Sequence, residues 1–207
     1  MLRDLTENPV LRLAVNDSRR AEIAGPALAD VHRQIGRLLA PAAAEGIPLA
    51  SVSIQHPRGP SEGVALDPRS APVVLPLMRG GLFLAEGLWA SLPGSALVPW
   101  GGDPGALEGV PVRGRAVFVV DSVINSGRSI DRVLERLLPQ APGPVGVVAL
   151  VAHADGLRHC VHRWPTVDFT VARVSQRSYV GRGGTDTGAR LFGTTTWATE
   201  RGLALSA

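Results

Sequence analysis

The chain of 207 residues is predicted to fold as α/β, a mostly parallel sheet flanked by helices. Three observations carry that expectation. Near-continuous apolar runs at Val73–Leu77, Ala116–Asp121 and Val145–Ala152 read as strands buried on both faces. A helix-patterned segment follows each of them, at Leu82–Ser91, Ile130–Leu138 and Asp155–Arg163. A hydrophobic content of 45% with 19% charged residues supplies enough apolar surface for one well-filled domain over 1–207.

The remaining elements follow in chain order. Residues 1–45 form a mainly helical N-terminal segment, with amphipathic spacing from about Arg19 to Ala40 (Leu28, Val31, Ile35, Leu38, Leu39). Asp17 or Ser18 is placed to cap it, and Pro26 marks a break or a second start. Leu49–Ile54 reads as a strand. Gln55–Ser70, rich in Pro, Gly and Ser, reads as a loop or hairpin. Ser95–Trp100 is a short strand, Gly101–Gly114 a glycine-rich loop, and Val167–Val174 the last strand before a small C-terminal hood over about 175–207.

Composition excludes several classes. The basic residues are all arginine and they are scattered, with aromatics at only 4%, so coding bias explains them better than a nucleic-acid surface. With no lysine, Schiff-base chemistry through a lysine is excluded. No apolar run reaches the length of a membrane span, the N-terminus lacks a signal-peptide core, and the single cysteine, Cys160, fits a reducing cytoplasm. His153, His159, Cys160 and His162 match no standard zinc spacing and read as surface or partly packed residues. Trp89, Trp100, Trp164 and Trp197 read as core or interface anchors.

Two motifs fall at strand ends, where such sheets bind ligands. Arg79-Gly80-Gly81 offers a guanidinium and a backbone that an anion can approach closely. Asp121 to Ser129 delivers an acid, a Ser/Gly/Asn loop and a helix N-terminus, whose free N–H groups suit a phosphate while the acid suits sugar hydroxyls. Taken singly, Asp121 also reads as a helix cap and Arg79 as a surface ion-pair partner.

With these residues in view, the chain resembles the uracil phosphoribosyltransferase family, of the type I phosphoribosyltransferase fold, as a divergent member. Asn8-Pro9-Val10-Leu11 is similar to the family's N-terminal segment, and Leu75 to Leu82 to its pyrophosphate loop. Asp121-Ser122-Val123-Ile124-Asn125-Ser126-Gly127-Arg128-Ser129 resembles its signature for 5-phosphoribosyl 1-diphosphate (PRPP). Tyr179-Val180, Gly183, Asp186, Gly188, Arg190 and Phe192-Gly193-Thr194 resemble its base-binding segment. The resemblance implies an enzyme transferring 5-phosphoribosyl with release of pyrophosphate. Asp121 would hold the ribose hydroxyls, Asn125, Ser126, Gly127, Arg128 and Ser129 the 5-phosphate with Ser122 beside them, and Arg79 with Gly80 the diphosphate. Asp186 would face the diphosphate side, and Tyr179, Val180, Arg182, Gly183, Thr185 and Asp186 the acceptor. It further implies Mg2+ held mainly by PRPP, with no direct protein ligand beyond a water-mediated Asp186. A homodimer or higher homo-oligomer is implied, with small-molecule substrates and neither nucleic acid nor membrane as partners.

Three departures bear on activity. Arg128 replaces a glycine: either it takes a positive φ at a strain of about 1 kcal/mol, or Gly127 makes the turn and Arg128 starts the helix, the reading preferred here. Gly101–Gly114, with Arg113 its one basic residue, is shorter than the family's hairpin lid. In the base segment Arg182 replaces a proline, Thr185 a glycine and Ala189 an acid; Arg182 is either a solvated loop charge or a pocket residue that selects an acidic acceptor. The sequence therefore points to a phosphoribosyltransferase with an acceptor altered from uracil, as in a specialised or natural-product pathway. Uracil salvage and a non-catalytic PRPP-binding regulator are the alternatives.

Overall fold

A computed structural model of the protein describes residues 1–179 and 181–195. Six strands form one parallel sheet: β1 (Leu2–Asp4), β4 (Val73–Pro76), β5 (Ala96–Leu97), β6 (Val117–Ile124), β7 (Val145–His153) and β8 (Asp168–Ser175). Their spatial order is β1-β8-β7-β6-β4-β5. From β4 the chain moves outward to β5, then returns to β6 on the other side of β4 and continues away through β7 and β8. The sheet thus reverses direction between β4 and β6, and the loops leaving those two strands part there and open a crevice. β4 and β6 are paired from Val73↔Val117 to Pro76↔Val120, which fixes the two loop starts side by side.

Helices cover both faces. On one lie α1 (Pro9–Arg19), α2 (Gly25–Ala43) and α3 (Leu82–Ala90), packed over Val74, Phe118, Val120, Val148 and Leu150. On the other lie α4 (Arg128–Leu137) and α5 (Ala154–Arg163), packed over Val117, Val119, Val147, Phe169 and Val171. The central strands bury alternate residues in opposite layers, so they carry almost no polar side chains until they reach the crevice. α2 and α3 meet backbone to backbone: a Cβ on Gly36 would overlap the Leu84 carbonyl, and one on Gly87 the Arg33 carbonyl. Arg33 bridges the same pair, donating to Glu86 at 2.6 Å and lying 4.8 Å from the centre of the Phe83 ring.

Several boundaries differ from the sequence reading, each for a physical reason. The N-terminal segment opens with β1, which the sequence reading lacked, before it becomes helical; β1 is three residues long and pairs with β8, and Arg3 donates to Asp168 at 3.2 Å. The helical region is two helices. Asn8 caps α1 by accepting from Val10 and Leu11, so Asp17 and Ser18 lie inside that helix rather than before it. Pro26 falls in the first turn of α2, where a missing N–H is harmless. The strand expected to end at Asp121 runs on to Ile124, because β7 pairs with it through Val123↔Val151 and Ile124↔Ala152. The strand expected over Ser95–Trp100 shrinks to Ala96–Leu97 plus a bridge from Leu77 to Trp100.

Gln55–Ser70 resolves as a hairpin. β2 (Leu49–His56) pairs along its whole length with β3 (Gly59–Leu66) in a separate exposed ribbon. Gly101–Gly114 folds down as a 3-10 turn (Pro104–Leu107), with Leu107 and Val112 buried against the α4 face and the Trp100 indole donating to the Asp103 carbonyl. Trp100 is a core residue, whereas Trp89 is exposed; Trp197 lies outside the described residues.

Candidate active site

The crevice between β4 and β6 holds a cleft of about 420 Å³. Its floor is built by close backbone approach. Gly81 sits against the Val120 carbonyl, where a Cβ would overlap, and a Cβ on Gly80 would lie 2.7 Å from the Ser122 hydroxyl and 3.5 Å from the Asp121 carboxyl. Glycine at both positions lets the Arg79 loop lie directly on the end of β6. Arg79, Gly80, Asp121, Ser122 and Asn125 thus line one hollow, as the sequence reading required of its two motifs.

Asp121 lies within β6 and accepts from the N–H of its neighbour Ser122 at 2.7 Å. Burial drives its pKa up to about 7, against the backbone N–H groups of Ser122 and Val123, which favour the ionised form. Across the cleft, Arg79 donates to the Thr194 hydroxyl at 3.3 Å and stands 4.0 Å from the Asp186 carboxylate, with its guanidinium 5.9 Å from the centre of the Phe192 ring. Arg79 and Asp186 both remain about half exposed, so each has room for a further partner.

The loop after β6 is shaped by what lies beneath it. Gly127 takes the turn at φ +81°, with the Cys160 thiol so close that a Cβ would overlap it. Arg128 then begins α4 with ordinary helical geometry, and no side chain caps the helix. Of the two readings of Arg128, the helix start is the one observed. Gly156 presses on the carbonyl of Asn125 from below. α4 and α5 are clamped at Asp131: burial alone would raise its pKa, but His159 and Trp164, each at 2.8 Å, and Arg163 hold the carboxyl below its usual range. His159 and Cys160 are absorbed by this packing, and among the described residues no three of His, Cys, Asp and Glu converge as a metal site. Ser126, Arg128 and Ser129 are exposed on the outer rim of the loop, and Gly127 is buried beneath it; none of the four lines the cleft.

The C-terminal hood closes over the loop. Asn125 accepts from the Tyr179 N–H at 3.0 Å and donates back to the Tyr179 carbonyl. The Tyr179 hydroxyl reaches the Thr185 carbonyl, and the Thr185 hydroxyl both accepts from the Arg182 N–H and donates to its carbonyl, at 3.0 Å each. Asp186 caps the short helix α6 (Thr187–Leu191) by accepting from Ala189 at 2.7 Å. Tyr179, Gly181, Asp186, Thr187 and Gly188 line the cleft; Arg182 and Thr185 do not, and Arg182 is exposed. Val180 lies outside the described residues. Arg190 ties the hood to the α1–α2 turn by donating to the carbonyls of Ser18, Arg20 and Ile23.

The candidate residues did not include Met78, Val123, Gly181 and Thr187, whose only signal was a place within or beside the motifs. Sequence reasoning also missed a second hollow of about 400 Å³ between the hood, α1, α2 and the ends of β6 to β8.

A parallel sheet with a switch-point crevice, an acid within β6, a loop leading into a helix N-terminus and a separate hood is the arrangement of the type I phosphoribosyltransferase fold. Solved structures share this fold. The AQ2163 protein from Aquifex aeolicus superposes with a TM-score of 0.79 at 22% identity, over 93% of this chain and 98% of that one. Orotate phosphoribosyltransferase from Mycobacterium tuberculosis gives 0.51 at 16% identity, over 82% and 90%. The model of the uracil phosphoribosyltransferase family matches residues 5–194, and the chain belongs to that family. A uracil phosphoribosyltransferase from Myxococcus xanthus is 26% identical over 92% of this chain and 96% of its own length. One from Dictyoglomus thermophilum is 27% identical over 78% and 84%.

Proposed function

We propose that the protein transfers 5-phosphoribosyl from PRPP to a ring nitrogen of an acceptor that has diverged from uracil, in a specialised pathway of the cytoplasm. The observation that carries this reading is the meeting of Arg79, Gly80, Asp121, Asn125, Tyr179 and Asp186 around one cleft at the sheet's switch point. In the reaction the bond from ribose C1 to the diphosphate oxygen breaks, and its electron pair leaves with pyrophosphate. The acceptor nitrogen forms the new bond to C1 and gives up its proton. Positioning and charge stabilisation are what the protein must supply.

Asp121 accepts from the ribose hydroxyls, and that ligation favours its ionised form over the neutral one, against the burial that raises its pKa. Arg79, released from Thr194 and Asp186, is the cation for the departing diphosphate. The uncapped first turn of α4 offers its N–H groups to the 5-phosphate, with the exposed Arg128 beside them. A magnesium ion fits this donor set as one held chiefly by substrate oxygens, since Asp186 is the half-exposed carboxylate on the diphosphate side and Asp121 is the more buried of the two. When bound, such an ion neutralises charge on the leaving diphosphate. Asp186 would then orient its water shell while still capping α6.

Divergence from uracil is supported by the base segment. Ala189, where the family has an acid, is buried and gives its N–H to Asp186, and Thr185 locks the Arg182 turn. Uracil itself is the second reading, favoured by the names of the relatives. Pyrophosphate release from PRPP with magnesium and a panel of nitrogen-heterocycle acceptors separates them. Release with another acceptor but not uracil supports the first reading, and efficient release with uracil supports the second. PRPP that binds without release from any acceptor would point to a regulator, and no PRPP binding at all overturns the assignment.

A further inference from the structure

The second hollow shares Ser122, Val123, Asn125, Tyr179 and Thr187 with the cleft, so the two are neighbouring hollows that meet along those residues. Its chemistry is different. Val15, Leu150 and Val151 give it an apolar side, and Arg19, Arg173, Arg177 and Arg190 line it, with no carboxylate among the described residues that line it. Arg190 is spent on the carbonyls of the α1–α2 turn. Arg19 and Arg173 have no salt-bridge partner among the described residues, and burial together with the facing Arg19 lowers the Arg173 pKa. Like charges facing each other across a hollow repel, and an anion between them relieves the repulsion. At the base, His32 is 2% exposed and its Nδ1 has no hydrogen-bond partner. A buried ring nitrogen left unpaired is costly, and a ligand that bonds it recovers that cost.

We propose that this chamber is the acceptor site and that the acceptor is a flat heteroaromatic ring carrying a carboxylate, its anion read by Arg173 and Arg19 and its ring lying on Val15 and Leu150 over His32. The inference rests on the phosphoribosyl-transfer reading, since it places the ring nitrogen where the two hollows meet, facing ribose C1. It also moves the source of acid selectivity away from Arg182, which lines neither chamber.

The test pairs uracil-5-carboxylate and uracil-6-carboxylate with their carboxamides and with uracil, following pyrophosphate release and the ribosylated product. One carboxylate should exceed its carboxamide in kcat/KM by roughly 10–100-fold, the worth of one or two charge-assisted hydrogen bonds. Arg173→Ala and, independently, Arg19→Ala should collapse that ratio toward one, while Arg173→Lys restores part of it. Calorimetric PRPP binding on each variant should stay within about threefold of the parent, which also reports that the variant folds. Equal use of carboxylates and carboxamides, or a carboxylate that alters the rate without being ribosylated, overturns the inference alone. Direct calorimetry of the carboxylates settles slow turnover: affinity no better than that of uracil also overturns it. Loss of PRPP binding by the parent protein overturns the transfer reading itself.

Discussion

At the scale of single residues, burial governs the two titrating groups nearest the chambers. Asp121 is held near pH 7 because the cleft wall removes water faster than two backbone N–H groups replace it. If its carboxylate is the form that accepts from ribose hydroxyls, PRPP affinity should rise as pH passes upward through about 7 and then level off. Asp121→Asn should bind PRPP more weakly and without that step; a variant that keeps the step would assign the titration elsewhere. His32 works in the opposite sense. Burial, with Arg190 nearby, lowers its pKa to about 4, so the unfolded chain takes up the proton first as pH falls. Its contribution to stability is therefore present above about 6.5 and is lost between 6.5 and 4. His32→Leu should remove a loss of about 3 kcal/mol across that window, read as the difference between parent and variant denaturant curves at pH 7.5 and pH 4.5. Taking the difference cancels the opposite contribution of Asp121, whose raised pKa favours the fold on acidification.

At the scale of elements, the glycines decide how near the backbones come. Gly156 in α5 supports the carbonyl of Asn125, so Gly156→Ala must displace either the helix or the loop. We expect a loss of about 1–3 kcal/mol in stability, and PRPP affinity at least roughly tenfold weaker, because the loop would lose its height above the sheet. Gly101→Ala, with nothing within 4 Å, is the matched control and should change neither. These contacts explain what the sequence could and could not reveal. β6, β7 and β8 were legible because continuous apolar runs have no other burial solution. β1 was not, because Leu2-Arg3-Asp4 is too short to show a period and owes its place to β8 some 165 residues later. Asp121 was legible as the acid of a strand-loop-helix unit, but its place inside β6 depends on β7 continuing alongside. Gly156 and Cys160 left no sequence signal at all, because their role is defined only by the loop above them.

At the scale of the whole molecule, the two chambers exist only because the hood is fastened on both sides. Toward the PRPP loop the fastening is Asn125 with Tyr179; toward the N-terminal helices it is Arg190 with three carbonyls. The glycine-rich loop that could have served as a lid is packed into the core through Leu107 and Val112 instead. The hood covers the site, resting on the N-terminal helices through Arg190. On the proposed reading, this separates the fates of the two substrates. The cleft's inner wall, at Gly80, Asp121 and Asn125, belongs to the sheet and its loops, whereas the second chamber needs the hood held against α1 and α2. Arg190→Met keeps the apolar stem but removes the three donors. It should raise the acceptor KM by roughly tenfold, while the PRPP dissociation constant moves less than about threefold. Hydrogen exchange should quicken in the backbone of residues 181–195 and leave β4 and β6 unchanged. Equal losses for both substrates would mean that the hood is one rigid piece with the PRPP loop, and that the Arg190 tether positions neither substrate separately.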